Sequence, residues 1–146
     1  MAETVEALVE RGIPVVGHLG LTPQSVNALG GYKVQGREDK AAARLLEDAK
    51  ALEAAGACAI VLELVPAAVA GRVSSSLAIP TIGIGAGPNC DGQVLVLHDM
   101  LGLNEQFAPR FLKHYAKLGE AVRSAVRTYA SEVREGTYPA KEHSFE

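Results

Sequence analysis

A single carboxylate interrupts the most apolar stretch of this 146-residue sequence. Glu63 lies in the run 57–66, which follows Gly56 and ends at a proline. A run of this length and composition is typical of a strand that is buried on both faces of a parallel sheet. Because an isolated ionised carboxylate is costly to bury, Glu63 must be paired, lie at the exposed strand end, or become protonated. The last two situations suit a general base, whereas a plainer role is to cap the next helix or pair with Arg72.

Three further polar residues end predicted strands. His18 ends the strand predicted over 13–18, and in the same layer as Glu63 it could donate a hydrogen bond to a substrate carbonyl or carboxylate. A lone histidine at a strand end is more often structural. His98 and Asp99 end a strand predicted over 93–99, but neighbouring strand residues point to opposite faces, so only one of them could face a site. We favour a structural role for that pair.

The glycine-rich segment 85–92 has two open interpretations. It could let the backbone approach a ligand at the strand ends, or it could serve turn geometry alone. A dinucleotide loop is disfavoured, because that fingerprint opens directly into a helix and here another strand is predicted to follow. No group of two or three carboxylates occurs at predicted strand ends, which argues against a self-contained magnesium site.

The elements that position these residues alternate between strands and helices. The predicted strands cover 13–18, about 58–63, 79–85 and 93–99, and the predicted helices cover 4–11, 39–55, a segment beginning at Pro66, and about 109–135. This order implies a parallel α/β arrangement with right-handed crossovers. Four such strands form either a small open sheet or half of a barrel, since 146 residues fall short of the roughly 250 typical of a complete (β/α)8 barrel.

Composition excludes several functional classes. Hydrophobic residues make up 48% and charged residues 21%, as in ordinary soluble globular proteins. A net charge of −3 gives no electrostatic reason to expect a nucleic-acid partner. Neither a membrane-spanning stretch nor a signal peptide is expected, so the cytoplasm is the default compartment. Cys58, in the predicted buried strand, and Cys90, in the glycine-rich segment, are expected to be free thiols.

Distinctive motifs occur in order along nearly the whole chain: VVGHLGLTPQS at 15–25, GGYKVQGR at 30–37, LELVP at 62–66, IGIGAG at 82–87, and YP and EHSF in the tail at 138–139 and 142–145. In these motifs the chain resembles the ketopantoate (3-methyl-2-oxobutanoate) hydroxymethyltransferases of pantothenate synthesis. The resemblance implies a (β/α)8 barrel in which the 2-oxo acid binds Mg²⁺, loses its C3 proton and attacks the methylene group of the co-substrate 5,10-methylenetetrahydrofolate. Glu63 matches the family's proton acceptor, and His18 matches a histidine near the substrate.

The resemblance covers only the family's second half, its last four βα units. It places the magnesium-binding carboxylates and a substrate-contacting lysine in the first half, so no metal ligand is assigned here. We therefore predict one partial-barrel domain over 1–146, with a long C-terminal helix and negligible transferase activity alone, because metal stabilisation of an enolate contributes several kcal/mol.

Half a barrel exposes two sheet edges, so we expect a homo-oligomer or pairing with a missing N-terminal half. Small molecules are the expected substrates, and neither a membrane nor a nucleic acid is an expected partner. The alternative is a non-catalytic truncated half-barrel that acts only in self-association. A weaker alternative is another enolate-forming enzyme of the same barrel class.

Overall fold

The computed structural model describes residues 1–145, which form two compact units, one over Met1–Val94 and one that begins at Leu95. The first unit contains α1 (Ala2–Val9), β1 (Val16–Gly20), α2 (Asp39–Ala54), β2 (Ala59–Glu63), α3 (Ala67–Ser76), β3 (Thr81–Ile84) and β4 (Gly92–Gln93). The second contains α4 (Leu97–Met100) and α5 (Leu118–Glu135). Short 3₁₀ turns lie at Pro23–Ser25 and Lys141–His143. The prediction of a single domain over 1–146 stays a prediction.

The first unit is built on a four-stranded sheet in the order β1-β2-β3-β4. Every neighbouring pair of strands is parallel. The connections from β1 to β2 and from β2 to β3 contain α2 and α3, whereas the segment 85–91 between β3 and β4 contains no helix. The predicted α/β class with parallel strands alternating with helices is therefore confirmed.

One face of the sheet carries the core. Ile60 and Leu62 of β2 are fully buried, in one cluster with Leu45 of α2 and with Val69 and Val73 of α3. Burying such side chains contributes about 1.5–3 kcal/mol each. Both helices therefore cover the same face of the strand.

The opposite face of β2 is only half covered, so the prediction that this strand is buried on both faces is wrong. Ala59, Val61 and Glu63 alternate with the core residues and are partly exposed. Cys58 precedes the strand and is exposed, which also corrects its predicted burial. An apolar run without polar alternation does not reveal whether one layer of helices or two covers a sheet.

A buried hydroxyl connects the start of β3 to the residue before β4. Thr81 is 0% exposed. Its backbone N–H and its hydroxyl both donate to Oδ2 of Asp91, at 2.7 and 2.9 Å, and Oγ1 lies 2.7 Å from Oγ of Ser74. The Thr81 backbone N–H, followed by the Thr81 hydroxyl, holds the pKa of Asp91 below its ordinary value.

Asp91 should therefore stabilise the first unit in a pH-dependent way. Because its pKa is lower in the folded than in the unfolded chain, its contribution is complete above the unfolded value of about 4 and is lost as the pH falls through the lowered folded value. Asp91→Asn should reduce the urea midpoint at neutral pH, and the midpoints of variant and parent should converge in acid. Asp48→Asn, which removes only an exposed ion pair with Arg44 at 3.8 Å, is the control. A deficit of Asp91→Asn that is the same at both pH values would contradict this account.

The structure departs from the predicted strand at residues 93–99, which cross the boundary between the two units. Only Gly92–Gln93 is strand, and Leu97–Met100 forms the helical turn α4. The Gly102 and Leu103 N–H groups donate to the carbonyls of Asp99 and His98, which closes the turn. A short apolar run fits a strand and a helical turn equally well, so its periodicity could not separate them.

The long helix begins later than predicted. It spans Leu118–Glu135 rather than 109–135. The N–H groups of Tyr115, Leu118 and Gly119 donate to the carbonyls of residues 100, 101 and 102. Because these donors are used outside the helical i to i−4 pattern, the helix cannot extend towards residue 109. In residues 1–145, no helix is long and apolar enough to span a bilayer.

Candidate active site

Glu63 and His18 lie in contact at the same end of neighbouring parallel strands. Glu63 is the last residue of β2, and His18 is in β1 opposite Val61. Nε2 of His18 is 3.1 Å from Oε2 of Glu63. Because an ionised carboxylate only accepts hydrogen bonds, His18 donates through Nε2 when Glu63 is charged. The side chains are 33% and 18% exposed, respectively, so the pair is accessible from the surface but largely enclosed.

The surroundings of this pair are mainly apolar. Side chains paired across parallel strands share a face, and the register places Val61, Ile82 and Ile84 on the same face as the pair. These three residues are partly buried. A charge on Glu63 therefore faces its histidine partner in a setting less polar than water, where a hydrogen bond to a charged group is stronger.

Three hydrogen bonds fix the backbone on both sides of the carboxylate. The Glu63 carbonyl accepts from the N–H of Leu21 at 2.8 Å. The Leu64 N–H donates to the Ile84 carbonyl at 2.9 Å, and the Leu64 carbonyl accepts from the N–H of Gln35 at 2.8 Å. The backbone at Glu63 and Leu64 is thus hydrogen-bonded to the residue after β1, to the last residue of β3 and to the loop before α2.

Sequence reasoning missed these supports. Gln35 belongs to the GGYKVQGR motif, whose aperiodic composition indicates a loop but not its partner. Gly20 belongs to the motif VVGHLGLTPQS, and a Cβ there would overlap the Glu63 carbonyl oxygen. A glycine directly before the buried Leu21 was the available signal of a close backbone approach.

The other candidate residues lie in other elements of the fold. His98 and Asp99 lie in α4 of the second unit rather than on a strand. In the glycine-rich segment, Gly87 packs so closely on Ala67, the first residue of α3, that a Cβ at Gly87 would overlap it. This contact, together with the Asp91 hydrogen bonds, gives the segment a packing role.

The residues around Glu63 do not fit a magnesium site on their own. Mg²⁺ prefers octahedral coordination by oxygen ligands, which include carboxylates and water. Glu63 supplies one carboxylate, and the polar side chain bonded to it is an imidazole. Across residues 1–145, no group of three or more His, Cys, Asp or Glu side chains could hold a metal ion. We therefore derive no chemical step through a metal.

Comparison with known families decides the relationship. The family described as ketopantoate hydroxymethyltransferase matches residues 1–141. The chain belongs to this family. The resemblance seen in the motifs is thereby confirmed, and the chain is homologous to hydroxymethyltransferase enzymes.

Individual hydroxymethyltransferase relatives are similar over almost the whole chain. It is 59% identical over 145 residues to the 3-methyl-2-oxobutanoate hydroxymethyltransferase of Syntrophus aciditrophicus, covering 99% of this chain and 53% of the relative. The corresponding protein of Carboxydothermus hydrogenoformans is 60% identical over 145 residues, with 99% and 52% covered. The chain thus spans about half the length of the curated relatives it matches.

Proposed function

We propose that this chain supplies the proton-abstracting part of a ketopantoate hydroxymethyltransferase. Glu63 is the base that removes the C3 proton of 3-methyl-2-oxobutanoate. The observation that carries the proposal is the carboxylate at the carboxyl end of β2, held 3.1 Å from His18. In parallel α/β folds, the carboxyl ends of the strands are where catalytic side chains gather.

The chemistry follows from the two side chains. Glu63 accepts the C3 proton, the C–H electron pair becomes the C2=C3 bond, and negative charge develops on the C2 oxygen. Water hydrolyses the methylene bridge of 5,10-methylenetetrahydrofolate: both C–N bonds break, the two water protons end on the nitrogens of the departing tetrahydrofolate, and the bridge carbon becomes a formaldehyde carbonyl. C3 of the enolate attacks that carbon, the electron pair of its C=O π bond moves to the oxygen, and the protonated Glu63 returns its proton to form the hydroxyl group of ketopantoate. In its doubly protonated form His18 donates Nε2–H to Glu63 and Nδ1–H to a carbonyl or carboxylate oxygen of the 2-oxo acid, which places C3 near the base.

We further propose that the chain forms the last four βα units of a (β/α)8 barrel. Four parallel strands with helices on one face support this arrangement. Its complement is an N-terminal half of the kind that the longer relatives carry, or another copy of the chain; either would cover the uncovered face, where Val16 is 54% exposed. Magnesium, which the resemblance implies, would be held by such an N-terminal half, because residues 1–145 contain no group of side chains that could hold the ion, and it would stabilise the enolate charge.

The proposal predicts that activity requires the complement. A polypeptide of these 146 residues, incubated with Mg²⁺ and both substrates, should form negligible ketopantoate. Co-expression with the segment of the Syntrophus aciditrophicus relative that this chain does not match should produce Mg²⁺-dependent turnover. The intact relative is the positive control, and ketopantoate is measured by mass spectrometry.

Two outcomes would contradict the proposal. Turnover by the isolated chain equal to that of the intact relative would show that no complement is needed. A folded, co-purifying complex without turnover, combined with a stable oligomer of the chain alone in size-exclusion chromatography with light scattering, would favour a purely self-associating role. Exposed apolar residues on α5, among them Val122, Val126 and Tyr129, are the observation behind that second function.

A further inference from the structure

Leu64, directly after the proposed base, has a backbone conformation that leucine rarely adopts. Its φ is +48°, and it is the one non-glycine residue with positive φ in the described part of the chain. In this left-handed region the Cβ of an L-residue crowds the following carbonyl oxygen. Such a conformation persists only where the surrounding structure determines it on several sides, and it recurs at functional sites.

The residues that follow explain why the turn falls on Leu64. Val65 precedes a proline, which restricts it to extended conformations, and its side chain is 2% exposed in the core. Pro66 is also extended, with φ −56° and ψ 136°, and α3 begins at the next residue. Neither residue can reverse the chain between the end of β2 and the start of α3, so Leu64 makes the reversal.

Hydrogen bonds hold Leu64 on both sides. Its N–H donates to Ile84, which extends the β2–β3 pairing by one bond, and its carbonyl accepts from the N–H of Gln35. The left-handed turn directs this carbonyl towards the GGYKVQGR loop while the preceding residue stays in the sheet. The loop is therefore hydrogen-bonded, through Gln35, to the residue that directly follows the proposed base.

We infer that Leu64 is a positioning residue for Glu63. This inference rests on the proposed function. If Leu64 relaxed to an ordinary negative φ, Val65 could not move, because it is fixed in the core. The compensating rotation would fall on the backbone of Glu63 and would break the bond from Gln35. The Glu63 carboxylate would then leave the position in which it meets His18 and the substrate C3.

The test compares two substitutions in the complemented enzyme, which is this chain co-expressed with the segment of the Syntrophus aciditrophicus relative that it does not match. Leu64→Ile keeps the size and apolar character of leucine, but β-branching makes the left-handed conformation least accessible. Leu64→Asn removes the apolar side chain, yet asparagine tolerates this conformation. We expect Leu64→Ile to lower kcat by about ten- to a hundredfold with little change in KM, and Leu64→Asn to retain kcat. In the 146-residue chain, amide hydrogen exchange at Gln35 should accelerate in Leu64→Ile and not in Leu64→Asn.

The outcomes separate a backbone role from an ordinary packing role. Unchanged kcat in a folded Leu64→Ile variant would overturn the inference, as would equal losses in both variants. If Leu64→Ile does not fold, Leu64→Ala replaces it, and equal kcat values for the alanine and asparagine variants would overturn the inference in the same way. The proposed function is tested separately by Glu63→Gln, and full turnover in that variant would contradict it. If Glu63→Gln is inactive while Leu64→Ile is fully active, only the positioning role of Leu64 is contradicted.

Discussion

Glu63→Gln in the complemented enzyme is expected to lower kcat by about 10²–10⁴-fold, the usual contribution of a positioned general base. Glutamine has nearly the same shape, and its Oε1 can still accept the hydrogen bond that His18 donates across 3.1 Å. It cannot take the C3 proton of the substrate. The variant therefore removes basicity while leaving the contact in place. The measurement is steady-state formation of ketopantoate at saturating concentrations of both substrates.

Glu53→Gln provides a matched control. Oε1 of Glu53 accepts from the N–H groups of Ala78 and Ile79 at 2.6 and 3.2 Å. It is thus another hydrogen-bonded carboxylate of the first unit, near the opposite end of the strands, and glutamine again keeps one acceptor. We expect kcat of this control to match the parent. Normal turnover by a folded Glu63→Gln variant would show that another group is the base.

The position of Glu63, the proposed base, at a strand end was predictable because the sequence has a strong local signal there. An apolar run interrupted by one carboxylate and closed by a proline indicates a strand end, and the parallel arrangement brings strand ends together. His18 reaches Glu63 because β1 pairs with β2 in a register that places them two positions apart on one face. The alternation of strands and helices predicts that the ends of β1 and β2 lie side by side, but it does not predict the register in which the two strands pair.

The hydrogen bonds that hold the backbone beside the proposed base were not predictable, because they depend on contacts between distant residues. Nothing local to GGYKVQGR indicates that the Gln35 N–H bonds Leu64. Leucine has no preference for positive φ, so the turn at Leu64 follows only once Val65 is fixed in the core. The error at residues 93–99 has a related cause. Their hydropathy suited a strand, but the hydrogen bonds that close α4 depend on residues beyond that run.

The glycine at the end of β1 provides the sharpest test of how closely the backbone approaches Glu63. Gly20 has φ +88°, and an added Cβ would overlap the Glu63 carbonyl oxygen and lie 2.7 Å from Cγ2 of Val65. Gly20→Ala must therefore strain its own backbone and also displace β2 or Leu21. We expect the free energy of unfolding to fall by about 2–5 kcal/mol, the sum of a left-handed penalty of about 1–2 kcal/mol and an overpacking penalty of about 1–3 kcal/mol.

Gly12→Ala separates these two penalties. Gly12 has φ +78°, close to that of Gly20, but a Cβ there would meet nothing within 4 Å. Its replacement should cost only about 1–2 kcal/mol, and urea unfolding of both variants measures the difference. Equal losses would show that β1 and β2 separate easily at Glu63. A larger loss for Gly20→Ala, together with a lower kcat in the complemented enzyme, would show that the contact fixing the strand pair also fixes the base. The stability of this corner and its catalytic geometry would then depend on the same few atoms.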